Sequence, residues 1–122
     1  MSRTDRHRLG DILAAVEAID QAEAVAHRHS DDGELPEVVL AAIQFHVFTI
    51  GEAVKALSAG VKDRQPGVPW SDIARMRDLI GHHYYKLDAA IVRATLGAPL
   101  DQLRTACEAL LADDADQSPG TV

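Results

Sequence analysis

The sequence predicts an all-α fold, an antiparallel bundle of four to five helices in which two long N-terminal helices precede shorter C-terminal ones. Three observations carry this. Of the 122 residues, 47% are hydrophobic but only 4% aromatic, so Ala, Leu, Val and Ile must supply the core. Apolar residues recur at spacings of three and four along most of the chain, which is the period of an amphipathic helix. No strand-like alternation lasts for more than a few residues.

The first helix is expected from Thr4, a capping residue, to about His29, with Leu9, Ile12, Leu13, Val16, Ile19 and Ala22 on one stripe. Ser30 to Leu35 is polar and loop-like, and Pro36 suits a first helical turn. The second helix is expected from Pro36 to Ala59, with Val39, Ile43, Val47, Ile50, Val54 and Leu57 inward and Gly60 as its stop. Pro66, Gly67 and Pro69 predict an irregular crossing from Val61 to Trp70. Ser71 and Asp72 restart a helix that buries Ile73, Met76 and Ile80, and Gly81 is expected to weaken or end it. Asp88 opens a short segment through Thr95. Gly97 and Pro99 then break the chain before a last stripe of Leu100, Leu103, Cys107, Leu110 and Leu111. Residues 1–112 read as one domain and residues 113–122 as an acidic, disordered tail.

Composition narrows the function classes. A single cysteine, Cys107, excludes an intramolecular disulfide and a multi-cysteine metal site, in keeping with a reducing, cytoplasmic setting. No stretch approaches the roughly 20 apolar residues of a membrane span, and Met1 to Gly10 lacks the apolar region of a signal peptide, so no membrane partner is expected. The net charge of −7 argues against a protein that coats nucleic acid indiscriminately. The charge is unevenly spread, however. Residues 101–122 carry a net −4, whereas Ser71 to Arg93 carry a net +1 with two histidines besides. Because salt screens charge over about 8 Å, the local sign governs a small binding site.

The chemistry-bearing residues sit in that second stretch. Between Arg75 and Asp88 lie both tyrosines and two of the six histidines. A guanidinium grips phosphate oxygens, an imidazole moves protons near neutral pH, and a phenol donates a hydrogen bond, so the set suits phosphodiester chemistry. On an uninterrupted helix Arg77 and Tyr84 fall within roughly 20° of one another, but His82 lies about 140° from Arg77. A break at Gly81, or a dimer that apposes two copies, would bring Arg77 and His82 together. The purely structural account has Arg77 paired with Asp78 or Asp88, the histidines packed, and the tyrosines closing the bundle end.

At these residues the chain resembles the HEPN superfamily, and most closely its HepT-like toxins. The family's motif is Arg, four to six residues, His, any residue, Tyr, and here it reads Arg77, Asp78 to Gly81, His82, His83, Tyr84. The segment Ile50-Gly51-Glu52-Ala53-Val54-Lys55-Ala56-Leu57-Ser58 resembles the family's second helix, and Trp70 precedes the motif as in relatives; the likeness spans about residues 5 to 111. It implies a metal-independent endoribonuclease acting as a homodimer, with two motifs facing each other across a cleft and no cofactor. Arg77 would orient the scissile phosphate, and His82 would act as general acid or base for attack by the ribose 2′-OH on a tRNA or mRNA. Tyr84 would support the RNA site and accept AMP from a partner antitoxin, a minimal nucleotidyltransferase, as in a type VII-like toxin–antitoxin system. Where many relatives carry Asn, this chain has Asp78, whose carboxylate orients Arg77 or His82 but repels phosphate; His83 and Lys86 offset it. The alternative is a catalytically weak dimeric helical module that docks a nucleotidyltransferase and is modified by it.

Other candidates read as structural. His46, flanked by Ile43 and Ile50, is expected in the core, as is Cys107, and His27 and His29 suit a helix C-terminus. No ligand spacing among His27, His29, His82 and His83 suggests a metal site. Glu52 suits either a solvated helix surface or a polar position lining the dimer cleft.

Overall fold

The computed structural model describes residues 1–29, 37–83 and 97–116. They form five helices: α1 (Arg3–His29), α2 (Glu37–Ala56), α3 (Ala59–Asp63), α4 (Trp70–His83) and α5 (Ala98–Asp116). No strand occurs among the described residues, so the all-α expectation holds. The segment Asp88–Thr95 and the loop Ser30–Leu35 lie outside the described residues.

The apolar stripes fold inward as their periodicity requires. Leu9, Ile12, Val16 and Ile19 of α1 are fully buried, as are Ile43 and Val54 of α2 and Cys107 and Leu110 of α5. Removing such a side chain from water contributes about 1.5–3 kcal/mol each, so this layer supplies the bulk of the cohesion. α1 packs against α2 and α5, and α2 also packs against α4. Burial raises the Cys107 thiol to about 12, as fits a small core residue that stays protonated. By length and composition alone α2 could cross a membrane, contrary to the expectation that no stretch approaches such a span. Its apolarity has another use here, since Val39, Ile43, Val47, Ile50 and Val54 are buried inside the bundle.

Several boundaries depart from expectation. Ser2, rather than Thr4, caps α1, because its Oγ accepts the Asp5 N–H at 3.0 Å. α2 ends at Ala56 instead of Ala59, and a short α3 follows where an irregular crossing was expected. The cause is Asp5. Its carboxylate accepts the Ser58 N–H at 3.0 Å and the Ser58 hydroxyl at 2.9 Å, and thereby pulls the chain out of α2. Gly60 lies in α3 with open space beside it, so it stops nothing. The Pro-rich turn is closed by the Trp70 indole N–H, shared between the carbonyls of Lys62 (3.1 Å) and Gln65 (3.0 Å). α4 then starts at Trp70, one residue before Ser71, with Ile73 N–H donating to the Pro69 carbonyl.

Gly97 enters α5 with φ +78, a left-handed value that favours glycine. α5 continues to Asp116, so residues 113–116 are helical rather than part of a disordered tail. Their carboxylates find cations: Asp114 pairs with Arg6 at 3.2 Å and Asp113 with Arg64 at 3.6 Å. Residues 117–122 lie outside the described residues. His46 is half-buried with its ring edge-on to exposed Phe45, 5.3 Å between centroids, so it is not a core histidine. At the edge of the α2 stripe, it falls just outside the buried arc.

Asp5 is the buried acidic residue of the described fold. Burial alone would raise its pKa, but hydrogen bonds from Ser58, with smaller help from Ser2 and the N-terminal ammonium, hold it below the ordinary carboxylate value. A depressed carboxylate contributes stability that is present above the unfolded pKa of about 3.9 and lost as pH falls through the lower folded value. Asp5→Ala is expected to lower unfolding free energy by about 1–3 kcal/mol near neutral pH, because the Ser58 N–H loses its partner. Urea unfolding at pH 7 and at pH 3 checks both points: the gap between wild type and variant should narrow in acid.

Candidate functional site

The site forms where α2 crosses α4. Phe48, Gly51, Glu52 and Lys55 recur at three and four along α2 and so share one helical face. That face meets Arg77 and Asp78 of α4. The approach is close enough that a Cβ built on Gly51 would overlap the Arg77 Cβ and lie 3.2 Å from its Cα. Only hydrogen at position 51 lets the two backbones come this near.

Four charges converge there. Glu52 accepts a hydrogen bond from Arg77 Nε. Asp78 Oδ1 accepts from Arg77 Nη1 at 3.1 Å and from Lys55 Nζ at 3.1 Å. The Arg77 guanidinium also lies over the Phe48 ring, 4.9 Å from its centroid, a cation–π contact worth about 0.5–1 kcal/mol at a partly exposed site. The Glu52 hydrogen bond, reinforced by Asp78, raises the Arg77 pKa against some desolvation, so the guanidinium stays charged. The Lys55 hydrogen bond, aided by Arg77, lowers that of Asp78 and keeps it ionised. Arg77 is 27% exposed, Glu52, Lys55 and Asp78 nearly half, so the cluster borders solvent. A guanidinium has five N–H donors, and among the described residues two of them are engaged. The other three have no partner among the described residues and suit an anionic oxygen. The arrangement can therefore hold and orient a phosphate, but its arginine cannot move a proton at accessible pH.

The predicted site residues divide accordingly. Arg77, Asp78 and Glu52 come together, and the Arg77–Asp78 pair expected on purely structural grounds is present. Glu52 is a direct partner of Arg77 and nearly half exposed, so its charge is paired at the edge of solvent. His82 and His83 belong to α4, which runs without a break to His83. Gly81 does not end the helix: it lies inside α4, and a Cβ there would make only ordinary contact with Phe48 at 3.4 Å. One chain thus keeps the positions of Arg77 and His82 about 140° apart around the helix axis. Tyr84 and Lys86 lie outside the described residues. Lys55, Phe48 and Gly51 carry no expected role, although the spacing of three and four from Phe48 to Gly51 to Lys55 is visible on α2, with Glu52 on the same face. What the spacing lacks is the partner face, since a helical period does not say which helix will lie against it.

Among the described residues no group of three or more His, Cys, Asp or Glu is placed to hold a metal. A family profile described as Ribonuclease HepT-like matches residues 14–110. The chain belongs to the HepT-like ribonuclease family. It is 30% identical over 112 residues to a protein of Thermococcus cleftensis that carries the name Probable ribonuclease HepT, covering 90% of this chain and 98% of that one. A shorter likeness links it to a protein of Methanocaldococcus jannaschii that carries the name Putative RNase, 44% identical over 43 residues, or 35% of this chain and 36% of the relative. Another such protein, from Caldanaerobacter subterraneus, is 34% identical over 62 residues, 51% of this chain and 55% of its own. No solved structure gives a significant match. The stretch matching the HepT-like family contains the whole α2–α4 crossing, from Phe48 to Asp78.

Two glycines of the crossing should respond in opposite ways. Gly51→Ala adds helix propensity worth up to about 1 kcal/mol, yet the new methyl overlaps Arg77, and overpacking of this kind costs about 1–3 kcal/mol. A net loss of stability is expected. Gly81→Ala meets only ordinary contacts in a continuous helix and should be neutral or stabilising by up to about 1 kcal/mol. Denaturation midpoints of the two variants decide the matter, and a destabilised Gly81→Ala would contradict the unbroken α4.

Proposed function

We propose that the chain is a metal-independent endoribonuclease that works as a homodimer in the cytoplasm and cleaves tRNA or mRNA. One observation carries the reading: within a ribonuclease family, this chain holds Arg77 charged, fixed along its Nε edge by Glu52, and with N–H groups that have no partner among the described residues. Such a fork binds phosphate oxygens in a defined orientation. In the proposed reaction the ribose 2′-OH attacks the adjacent phosphorus and the P–O5′ bond breaks. His82 takes the hydroxyl proton or supplies one to the departing 5′ oxygen, and Arg77 balances the charge that grows on the phosphate. The unbroken α4 supports a two-copy site, since the positions of Arg77 and His82 on one helix lie on different sides of its axis.

The same reading makes the chain the toxin of a toxin–antitoxin pair. Its partner is a minimal nucleotidyltransferase that attaches AMP to Tyr84. Two residues beyond His82, an added phosphate and adenosine would bring negative charge and bulk to the place where RNA must enter. Asp78 is less of an obstacle to this chemistry than an isolated carboxylate would be, because Lys55 and Arg77 share its charge.

Arg77→Ala is expected to lower RNA cleavage by about 10²–10³-fold, the cost of removing one donor that stabilises a developing oxyanion. His82→Ala should lower it by about 10²–10⁴-fold, the usual worth of general acid–base catalysis. Cleavage of a labelled RNA by the purified chain, with a control oligonucleotide that is 2′-deoxy at the cleavage point, provides the measurement. Intact mass of the chain co-expressed with a neighbouring nucleotidyltransferase tests the partner. Wild-type protein that leaves RNA intact without any tyrosine adduct would sink the reading.

A further inference from the structure

We propose that Lys55 is a second phosphate-binding residue of the site, gripping the RNA backbone beside the phosphate held by Arg77; this rests on the ribonuclease reading above. The geometry begins at Asp78 Oδ1. A single carboxylate oxygen accepts from Lys55 Nζ and from Arg77 Nη1, each at 3.1 Å, so the two cationic heads converge on a point the size of one anionic oxygen. They approach it from different helices, α2 and α4. An ammonium has three donors, and among the described residues Lys55 Nζ engages one acceptor, Asp78. Its side chain is 46% exposed, so the other donors face water that a phosphate can replace.

Charge favours the same conclusion. Arg77 has two carboxylate partners and Lys55 has one, which it shares, so Lys55 is the less neutralised of the two cations. Asp78 keeps two like charges side by side without strong mutual repulsion. A lone arginine would hold one phosphate and leave the strand free to swivel about it. A second cation on the neighbouring helix gives the strand a direction across the α2–α4 crossing. An ordinary surface ion pair at the last turn of α2 would also place a lysine near Asp78, for the helix dipole welcomes a cation there. The two roles differ in one measurable respect: only a residue that meets phosphate displaces counterions from the RNA.

The test uses the full chain and a fluorescein-labelled 2′-O-methyl RNA oligonucleotide, which keeps the phosphates but lacks the attacking hydroxyl. Affinity is measured from about 50 to 200 mM salt, and the slope of log K against log salt is compared between proteins. Lys55→Ala is expected to weaken binding several-fold at low salt and to make the slope shallower by about 0.7 for each Lys55 that meets the strand. Lys55→Arg should retain the wild-type slope. Lys55→Gln keeps part of the aliphatic stem and carries the same expectation should the alanine variant fail to fold. An unchanged slope in the neutral variants overturns the assignment, whatever happens to affinity. Wild-type protein whose affinity does not vary with salt overturns the ribonuclease reading along with it, so the wild-type slope tells the two failures apart.

Discussion

The close approach of α2 and α4 at Gly51 is the constraint on which the site depends. With no side chain at this position, the Arg77 Cβ comes up against the α2 backbone. Glu52 and Lys55, one and four residues further along, then fall level with Arg77 and Asp78. The ion pairs do not hold the helices together. Each is partly exposed, and pairs of that kind contribute about 0–1 kcal/mol. Ile50, Val54 and Ile80 are buried along the same two helices, and burial of each contributes more than such a pair. Causation therefore runs from the core outward: apolar packing fixes the helices, glycine sets their separation, and the charged residues aim one another.

This order explains what could be read from the sequence and what could not. Helical periodicity reports burial directly, and the inward positions of α1, α2 and α5, such as Leu9, Ile43 and Leu110, follow from it. Boundaries depend on single long-range hydrogen bonds, which periodicity does not see. Asp5 capturing Ser58 shortens α2 and starts α3 across a separation of 53 residues. Gly81 shows the same limit from the other side, because glycine lowers helix propensity by only about 1 kcal/mol and α4 runs on through it to His83. Asp113 and Asp114 look like tail residues until Arg64 and Arg6 are seen to face them. For the site, residue chemistry singled out Arg77, and the family resemblance drew attention to Asp78 and Glu52. Lys55 escaped because its significance is relational: it matters through an oxygen on another helix.

The acidic total has a similar resolution. Much of the negative charge is placed against cations within the fold, as with Asp20 and Arg104 between α1 and α5. At the α2–α4 crossing two carboxylates and two cations balance formally, but they are not equivalent toward a ligand. Glu52 accepts through Oε1 and Asp78 through Oδ1, and among the described residues both cations have N–H groups without a partner. A site of zero net charge can thus still offer donors to a phosphate, beside carboxylate oxygens that repel it. It will not attract nucleic acid from a distance, but it can bind a phosphate that arrives correctly placed.

The unbroken α4 places the final constraint on mechanism. Arg77 is tied to α2 through Glu52, so its direction is set by the fold of one chain. His82 follows five residues later on the same helix, about 140° around the axis. A general acid or base must come within hydrogen-bonding reach of the proton it transfers. With its arginine anchored on one side and its histidine starting from another, a single α4 is poorly shaped to bring both groups to one phosphodiester. Two copies of α4 meeting face to face relieve the conflict without bending either helix, since each could offer a different side to the shared strand. For the proposed enzyme, an α4 that runs unbroken from Arg77 to His82 therefore favours a site shared between two copies.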